Sequence, residues 1–204
     1  MLSALTTAMI PVSATTPVSG SIVSNTEWSG DVLLTGDVYI EHGVTLNLKA
    51  GAVVNAAEYS LVVNGTLTGT DAQILSTTSS EDGNHTSTVG MWLGVVINVG
   101  GDTSLTRVSI SNAKTAIMIH GTGVLDSVSV STSYLGVEVD GSATIDDLTC
   151  SAIDFECVLV SGSAVLDGLD ADVVASGVVS SGDLDATNIE IENAGTGITI
   201  SGGS

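Results

Sequence analysis

The sequence predicts an all-β solenoid built from stacked coils of about twenty residues. Three observations carry this. Residues 103–202 divide into five consecutive similar units, beginning at Thr103, Thr122, Ser142, Ser163 and Asp183. Each unit closes on a glycine: Gly121, Gly141, Gly162, Gly182 and Gly202. Within each unit the apolar residues come in pairs spaced by two, the period of a strand with one buried face.

Aligned, the units form columns. One reads Leu105, Leu125, Ile145, Leu166, Ala186, and three residues on stands Val108, Val128, Leu148, Leu169, Ile189. Two further on comes Ile110, Val130, Cys150, Ala171, Ile191. A second pair follows, with Ile117, Val137, Val158, Val178, Ile198 and then Ile119, Val139, Val160, Ser180, Ile200. Small residues precede that pair (Ala116, Gly136, Cys157, Gly177, Gly197), where a corner is expected. Helical spacing of three and four is lacking. One coil cannot bury its apolar face alone, so the columns imply coils stacked about 4.8 Å apart, like on like. Unit length runs from nineteen to twenty-one residues while the columns persist, so the variable residue falls in a corner. A leucine-rich repeat has a similar period, but its spaced Leu and Asn consensus is missing.

The pattern resembles the right-handed parallel β-helix, or pectin-lyase-like, proteins of secreted and surface type. The segments 26–54 (TEWSGDVLLTGDVYIEHGVTLNLKAGAVV), 91–97 (MWLGVVI) and 104–117 (SLTRVSISNAKTAI) carry the likeness, which covers Trp28 to the end. The resemblance implies a single-stranded right-handed coil. It says little about activity, because the group holds lyases, hydrolases, epimerases, adhesins and inert stalks.

Composition narrows the classes. Only 3% of the 204 residues are aromatic against 43% hydrophobic, which suits a narrow interior filled with Val, Ile, Leu and Ala. Twenty-three acidic residues face Lys49, Arg107 and Lys114, for a net charge of −20. Nucleic acid and anionic membrane surfaces both need clustered cations, so neither is expected as a partner. Salt or divalent cations would screen the self-repulsion of such a surface.

Along the chain, residues 1–14 are small and apolar and end in Val12-Ser13-Ala14, like the end of a secretory signal peptide without its basic start. They read as a signal-peptide remnant cleaved after Ala14. Residues 15–27 are rich in Thr and Ser and read as a linker. Residues 28–204 read as the β-helix, continuing in a longer parent protein. Its early strand-like runs are 32–34, 38–40, 44–48, 53–54, 61–63 and Leu67. Trp28 is expected to close the first coil. Residues 76–90 (STTSSEDGNHTSTVG) break the periodicity and read as a projecting loop. Asn64 and Asn84 each begin an N-x-Thr glycosylation acceptor pattern.

Asp126, Asp146 and Asp167 hold equivalent positions in three successive units, with Asp147 beside the second. Stacked about 4.8 Å apart, they are either screened by water and salt or bridged by a divalent cation such as calcium, which takes six to eight oxygen ligands. Paired carboxylates also serve acid catalysis on sugars, which makes Asp126, Asp146 and Asp147 the catalytic candidates. The hydrolases that the resemblance brings in add His, Lys and Arg companions, and the matching coils here hold none. Trp92, Tyr134 and His85 are the candidates for contact with a carbohydrate, the two rings being as well placed to pack inside. No histidine has a partner at metal-ligand spacing. Cys150 and Cys157 read as buried thiols acting as small hydrophobes, a disulfide being the alternative in an exported chain.

The expectation is therefore a non-catalytic, secreted or cell-surface structural or adhesion segment of a larger protein. The alternatives are a carbohydrate-binding module and a polysaccharide-degrading hydrolase or lyase. Expected partners are polysaccharide, or neighbouring β-helix coils of the same or another chain.

Overall fold

The computed structural model describes residues 15–77 and 91–202. These residues contain strands and no helix. Each full turn crosses three ladders of parallel strands, and about nine turns are stacked. The early strands are β1 (Thr16–Ile22), β2 (Thr26–Trp28), β3 (Asp31–Ile40), β4 (Thr45–Leu48), β5 (Val53–Asn55), β6 (Ser60–Val63), β7 (Thr66–Thr70) and β8 (Gln73–Leu75). After residues 78–90 come β9 (Gly94–Ile97), β10 (Asp102–Thr106), β11 (Ser109–Ser111), β12 (Thr115–Ile119), β13 (Thr122–Asp126), β14 (Ser129–Ser133) and β15 (Leu135–Val139). The last three turns are each one bent strand: β16 (Ser142–Val160), β17 (Ser163–Ser180) and β18 (Asp183–Ile200). Turns are numbered here by their third-side strand, so β12 lies in the fifth, β15 in the sixth and β16 in the seventh.

The apolar columns are the register. Leu105 pairs with Leu125, Leu125 with Ile145, Ile145 with Leu166 and Leu166 with Ala186. Ile110, Val130, Cys150, Ala171 and Ile191 stack in the same way on the second side. Ile117, Val137, Val158, Val178 and Ile198 do so on the third. These columns form one core that runs from Trp28 to Val178.

The gap of three between Leu105 and Val108 is a corner, not part of a strand. One residue there takes left-handed φ in successive turns: Asp71 (51°), Arg107 (52°), Ser127 (54°), Asp147 (52°), Gly168 (79°) and Asn188 (54°). The inverted backbone turns its N–H towards the following turn: Asp71 N donates to Thr106 O, Arg107 N to Asp126 O and Ser127 N to Asp146 O. Neighbouring N–H groups donate backwards, as Thr149 N does to Val128 O. A second left-handed column, Asn112, Thr132, Ala152, Val173 and Asn193, marks the next corner.

The third corner explains the closing glycines. There two successive N–H groups share one carbonyl of the previous turn. Asp140 N and Gly141 N both donate to Ile119 O (2.9 and 2.8 Å), and Ser161 N and Gly162 N both donate to Val139 O (2.9 and 3.0 Å). A Cβ on Gly162 would lie 2.2 Å from Gly141 O and 2.3 Å from Asp140 O. Only glycine fits a contact that close.

Two expectations are corrected. Residues 15–27 are not a linker: β1 pairs in parallel with β3, Thr16 with Val32 through Ile22 with Ile40, and β2 pairs with β4. Ser and Thr fill the outward positions of these strands as they do elsewhere in the stack, so a polar composition hid a coil. Trp28 is buried against Leu48, at the first-turn end of its ladder. Cys150 and Cys157 are not free thiols but a disulfide, with Cα atoms 6.0 Å apart. It links the second and third sides of the seventh turn. The readings placed on residues 1–14, His85 and Asn84 lie outside the described residues, as does most of the projecting loop. Of that loop, Ser76 belongs to the stack: it is buried and its Oγ donates to Ala57 O.

Gly162→Ala should cost about 1–3 kcal/mol or more, because rigid backbone must move to admit the methyl group. Gly197→Ala, where nothing lies within 4 Å, should cost less. Paired urea denaturation curves compare the two. Replacing both cysteines by serine should cost about 2–3 kcal/mol, the loop-closure value for a separation of seven residues. Thermal unfolding with and without a reductant checks this.

Candidate functional site

The acidic ladder forms as the repeat implies. Asp126 pairs in register with Asp146, and Asp146 with Asp167, on the outward side of β13, β16 and β17. The three carboxylates are not equivalent. Asp126 Oδ1 accepts from Ser127 Oγ at 2.9 Å. Asp167 Oδ1 accepts from Thr187 Oγ1 at 2.7 Å and Asn188 Nδ2 at 2.6 Å, which holds its carboxyl below the usual range. Asp146 lies between like charges. Partial desolvation, and then the charges of Asp147, Asp167 and Asp126, push its carboxyl upward.

A raised acid beside a lowered one is the electrostatic arrangement that sugar hydrolysis uses. The surroundings differ from such a site. The ladder stands on an outer face, and Asp146, Asp147 and Asp167 are exposed. Asp147 sits at the left-handed corner, with its Oδ1 over the bare Cα of Gly168. A shallow, open depression lies beside it, lined by Asp147, Thr149, Gly168, Asp170, Asn188 and Glu190. That lining is acidic and offers no cation. Among the described residues, no group of three or more His, Cys, Asp and Glu side chains converges as a metal site.

Of the cations, Arg107 stands next to the ladder, where its charge reaches Asp126. Arg107 binds Asp71 with both ends of its fork, Nε to Oδ1 at 2.6 Å and Nη2 to Oδ2 at 3.0 Å. Lys49 pairs with Glu27 at 2.6 Å. Arg107 and Lys114 occupy different corners of the fifth turn.

A polar string runs along the corner of the closing glycines. Asn98 Nδ2 donates to Asn64 Oδ1 at 2.8 Å, so the glycosylation candidate Asn64 takes part in a ladder of side chains. His120 Nδ1 lies 3.3 Å from Asp140 Oδ2, and Ser161 Oγ donates to Asp140 Oδ1. First Ser161 and then His120 hold the Asp140 carboxyl below its usual range. Serine, histidine and aspartate are therefore joined, but in the wrong order for a nucleophile. The aspartate stands between the other two, so the histidine does not face the serine hydroxyl.

The carbohydrate candidates separate. Trp92 is fully buried, bridges to Ala113, and spends its Nε1–H on Ser111 O at 3.0 Å, so it offers no face to a ligand. An interior of small aliphatic side chains had room for one indole beside Ala113. Tyr134 is half-buried and stacks on Phe155, with ring centroids 5.4 Å apart and planes 10° from parallel. Phe155 was not singled out from sequence. Two signals marked it: it is the chain's one phenylalanine, and it lies in the longest, twenty-one-residue unit.

No family model, curated protein or solved structure matches this chain.

Asp146→Asn should stabilise the fold at neutral pH and low salt. The folded-state pKa of Asp146 lies above its unfolded value, so stability is lost as pH rises through the carboxylate range, and the substitution removes that loss. The difference should shrink below that range and in high salt, which screens exposed charges. Denaturation midpoints of the two chains across pH and ionic strength test this.

Proposed function

We propose that the chain is a non-catalytic structural or adhesion segment of a larger secreted or cell-surface protein, of the pectin-lyase-like kind of parallel β-helix. The observation that carries this is the unbroken register. From β10 to β18 every side of the solenoid stacks each turn on the last, with small shifts only at corners. Main-chain hydrogen bonds therefore run along the axis, and the outer faces repeat at one-strand intervals. Such an object is a stiff spacer that displays side chains at fixed spacing.

Two further features support the reading. The Cys150–Cys157 disulfide suits an oxidising compartment outside the cytosol. The acidic ladder stands on an exposed face, and Arg107, whose charge reaches Asp126, is already spent on Asp71, an arrangement suited to a solvated surface more than to holding a polysaccharide for cleavage.

Incubation with uronate-rich and neutral polysaccharides, first with calcium and then with a chelator, should release no new sugar ends and no unsaturated products. A chain with Asp126, Asp146 and Asp147 all changed to Asn should behave alike in this assay and remain folded. Product formation that disappears in that triple variant would overturn the reading in favour of a hydrolase or lyase.

A further inference from the structure

The seventh turn departs from the repeat in a way that its neighbours do not. Ile153 pairs with Val174 and Glu156 with Ser176, so Asp154 and Phe155 together face the single Ala175. The same extra residue shows against the sixth turn, where Ser133 pairs with Ile153 but Val137 with Val158. The result is a bulge. Bulges re-aim side chains and gather at functional places. Here the bulge brings out Phe155, which is 48% exposed in a chain that is 3% aromatic. The disulfide from Cys150 to Cys157 spans the bulged segment and fixes its ends.

The surroundings state the chemistry of a ligand. One face of the Phe155 ring lies on Tyr134. In the next two turns the matching corner holds only Ala175 and Gly195, which leaves space on that side. A shallow depression follows, lined by Asp154, Val173, Ala175 and Asn193 among others. Val173 is exposed and holds a left-handed φ of 55°, which a β-branched residue rarely takes. Acids flank the aromatic pair. Asp154 and Glu156 border Phe155 in sequence, and Glu138 stands one turn before, in register with Leu159. Glu156 is half-buried; its carboxyl takes a hydrogen bond from its own backbone N–H, while Oε2 has no partner. Desolvation, and then the charge of Glu138, push the Glu156 carboxyl upward. Two carboxylates of like charge next to an exposed aromatic pair call for a cation that is also flat.

We propose that this stapled corner is a docking site for an arginine side chain presented by a partner protein. A guanidinium can stack on an aromatic face and at the same time donate to carboxylates in its own plane. A lysine ammonium offers no plane, and a neutral sugar brings no charge to set against Glu138 and Glu156. The same scaffold already binds a guanidinium through both nitrogens, where Arg107 meets Asp71. The net charge of −20 draws cationic partners from a distance, and the corner selects among them. The proposal supplies a ligand for the adhesion half of the reading above and rests on it.

The test titrates the isotope-labelled full chain with three short Gly/Ser peptides that differ only in one residue: arginine, lysine or citrulline. The arginine peptide should shift the amide signals of the corner around residues 134, 152–157 and 173–175. The lysine and citrulline peptides should bind about tenfold more weakly or not at all. Phe155→Ala and Glu156→Gln should each weaken arginine binding by about tenfold. Phe155→Leu keeps apolar bulk without the ring and guards against a misfolded alanine variant. An Asp126→Asn, Asp146→Asn double variant, which removes more charge at another corner, should bind like the parent chain.

Equal affinity for arginine and lysine would overturn the proposal. So would equal weakening by the remote double variant, which would mean diffuse attraction to a polyanion. A neutral oligosaccharide that binds the corner while the arginine peptide does not would assign it to carbohydrate instead. Each of these failures leaves the rod reading standing, because that reading is judged by folding and by the absence of polysaccharide products.

Discussion

Everything in this molecule depends on equivalent residues stacking at a fixed interval. A parallel strand places each residue over its counterpart about 4.8 Å away, so one choice of side chain is repeated into a column. Inward columns of Leu, Val and Ile are mutually supportive, because like shapes interlock and exclude water. Outward columns have no such agreement. Hydroxyls stack without cost, as Ser109, Ser129 and Thr149 do on the second side. Carboxylates stack against their own repulsion. The geometry that creates the core therefore creates the acidic ladder as well.

Corners make the stacking work. A strand cannot turn without breaking its hydrogen-bond direction, and two corners do so with a left-handed residue. At the first of them the reversed N–H is still used, because it reaches the following turn. The third corner uses a tight approach of backbone to backbone that only glycine tolerates. Side chains at corners escape the demands of the flat faces. Arg107, Asp147, Tyr134 and Phe155 all stand at or beside corners. Chemical variety is confined to these places, and the flat faces carry repetition.

The core was legible in the sequence because burial acts on every turn alike. Each apolar column read from spacing is a column in the structure, down to the pairing of Leu125 with Ile145 and Val137 with Val158. Three things were less legible, for physical reasons. The first strands look like a linker because their outward residues are hydroxyls and the inward ones are few. The Leu105–Val108 gap carries no composition signal for a left-handed corner, since Asp, Arg, Ser and Asn all occupy it. Phe155 is exposed through a shift of one residue in register, and spacing shows that a residue is extra without showing which side chain it expels. For the acidic site, positions and register were readable from the spacing of the units. Thr187 and Asn188, which lie a turn away, lower Asp167, and desolvation with the neighbouring like charges raises Asp146.

The corner shared by the closing glycines also sets how such a chain can change in length over generations. Gly121, Gly141, Gly162 and Gly182 each pack against the equivalent carbonyl of the turn before, so the boundaries between these units present the same pair of surfaces. Removing or doubling one whole unit joins matched surfaces and keeps every column in phase. Removing half a unit would place a strand over a corner along the entire remaining stack. Gene-level duplication fits this geometry only in whole turns, and the length of the stack changes in steps of one strand spacing. The length of the stack becomes a countable trait, adjustable without redesign of any single turn.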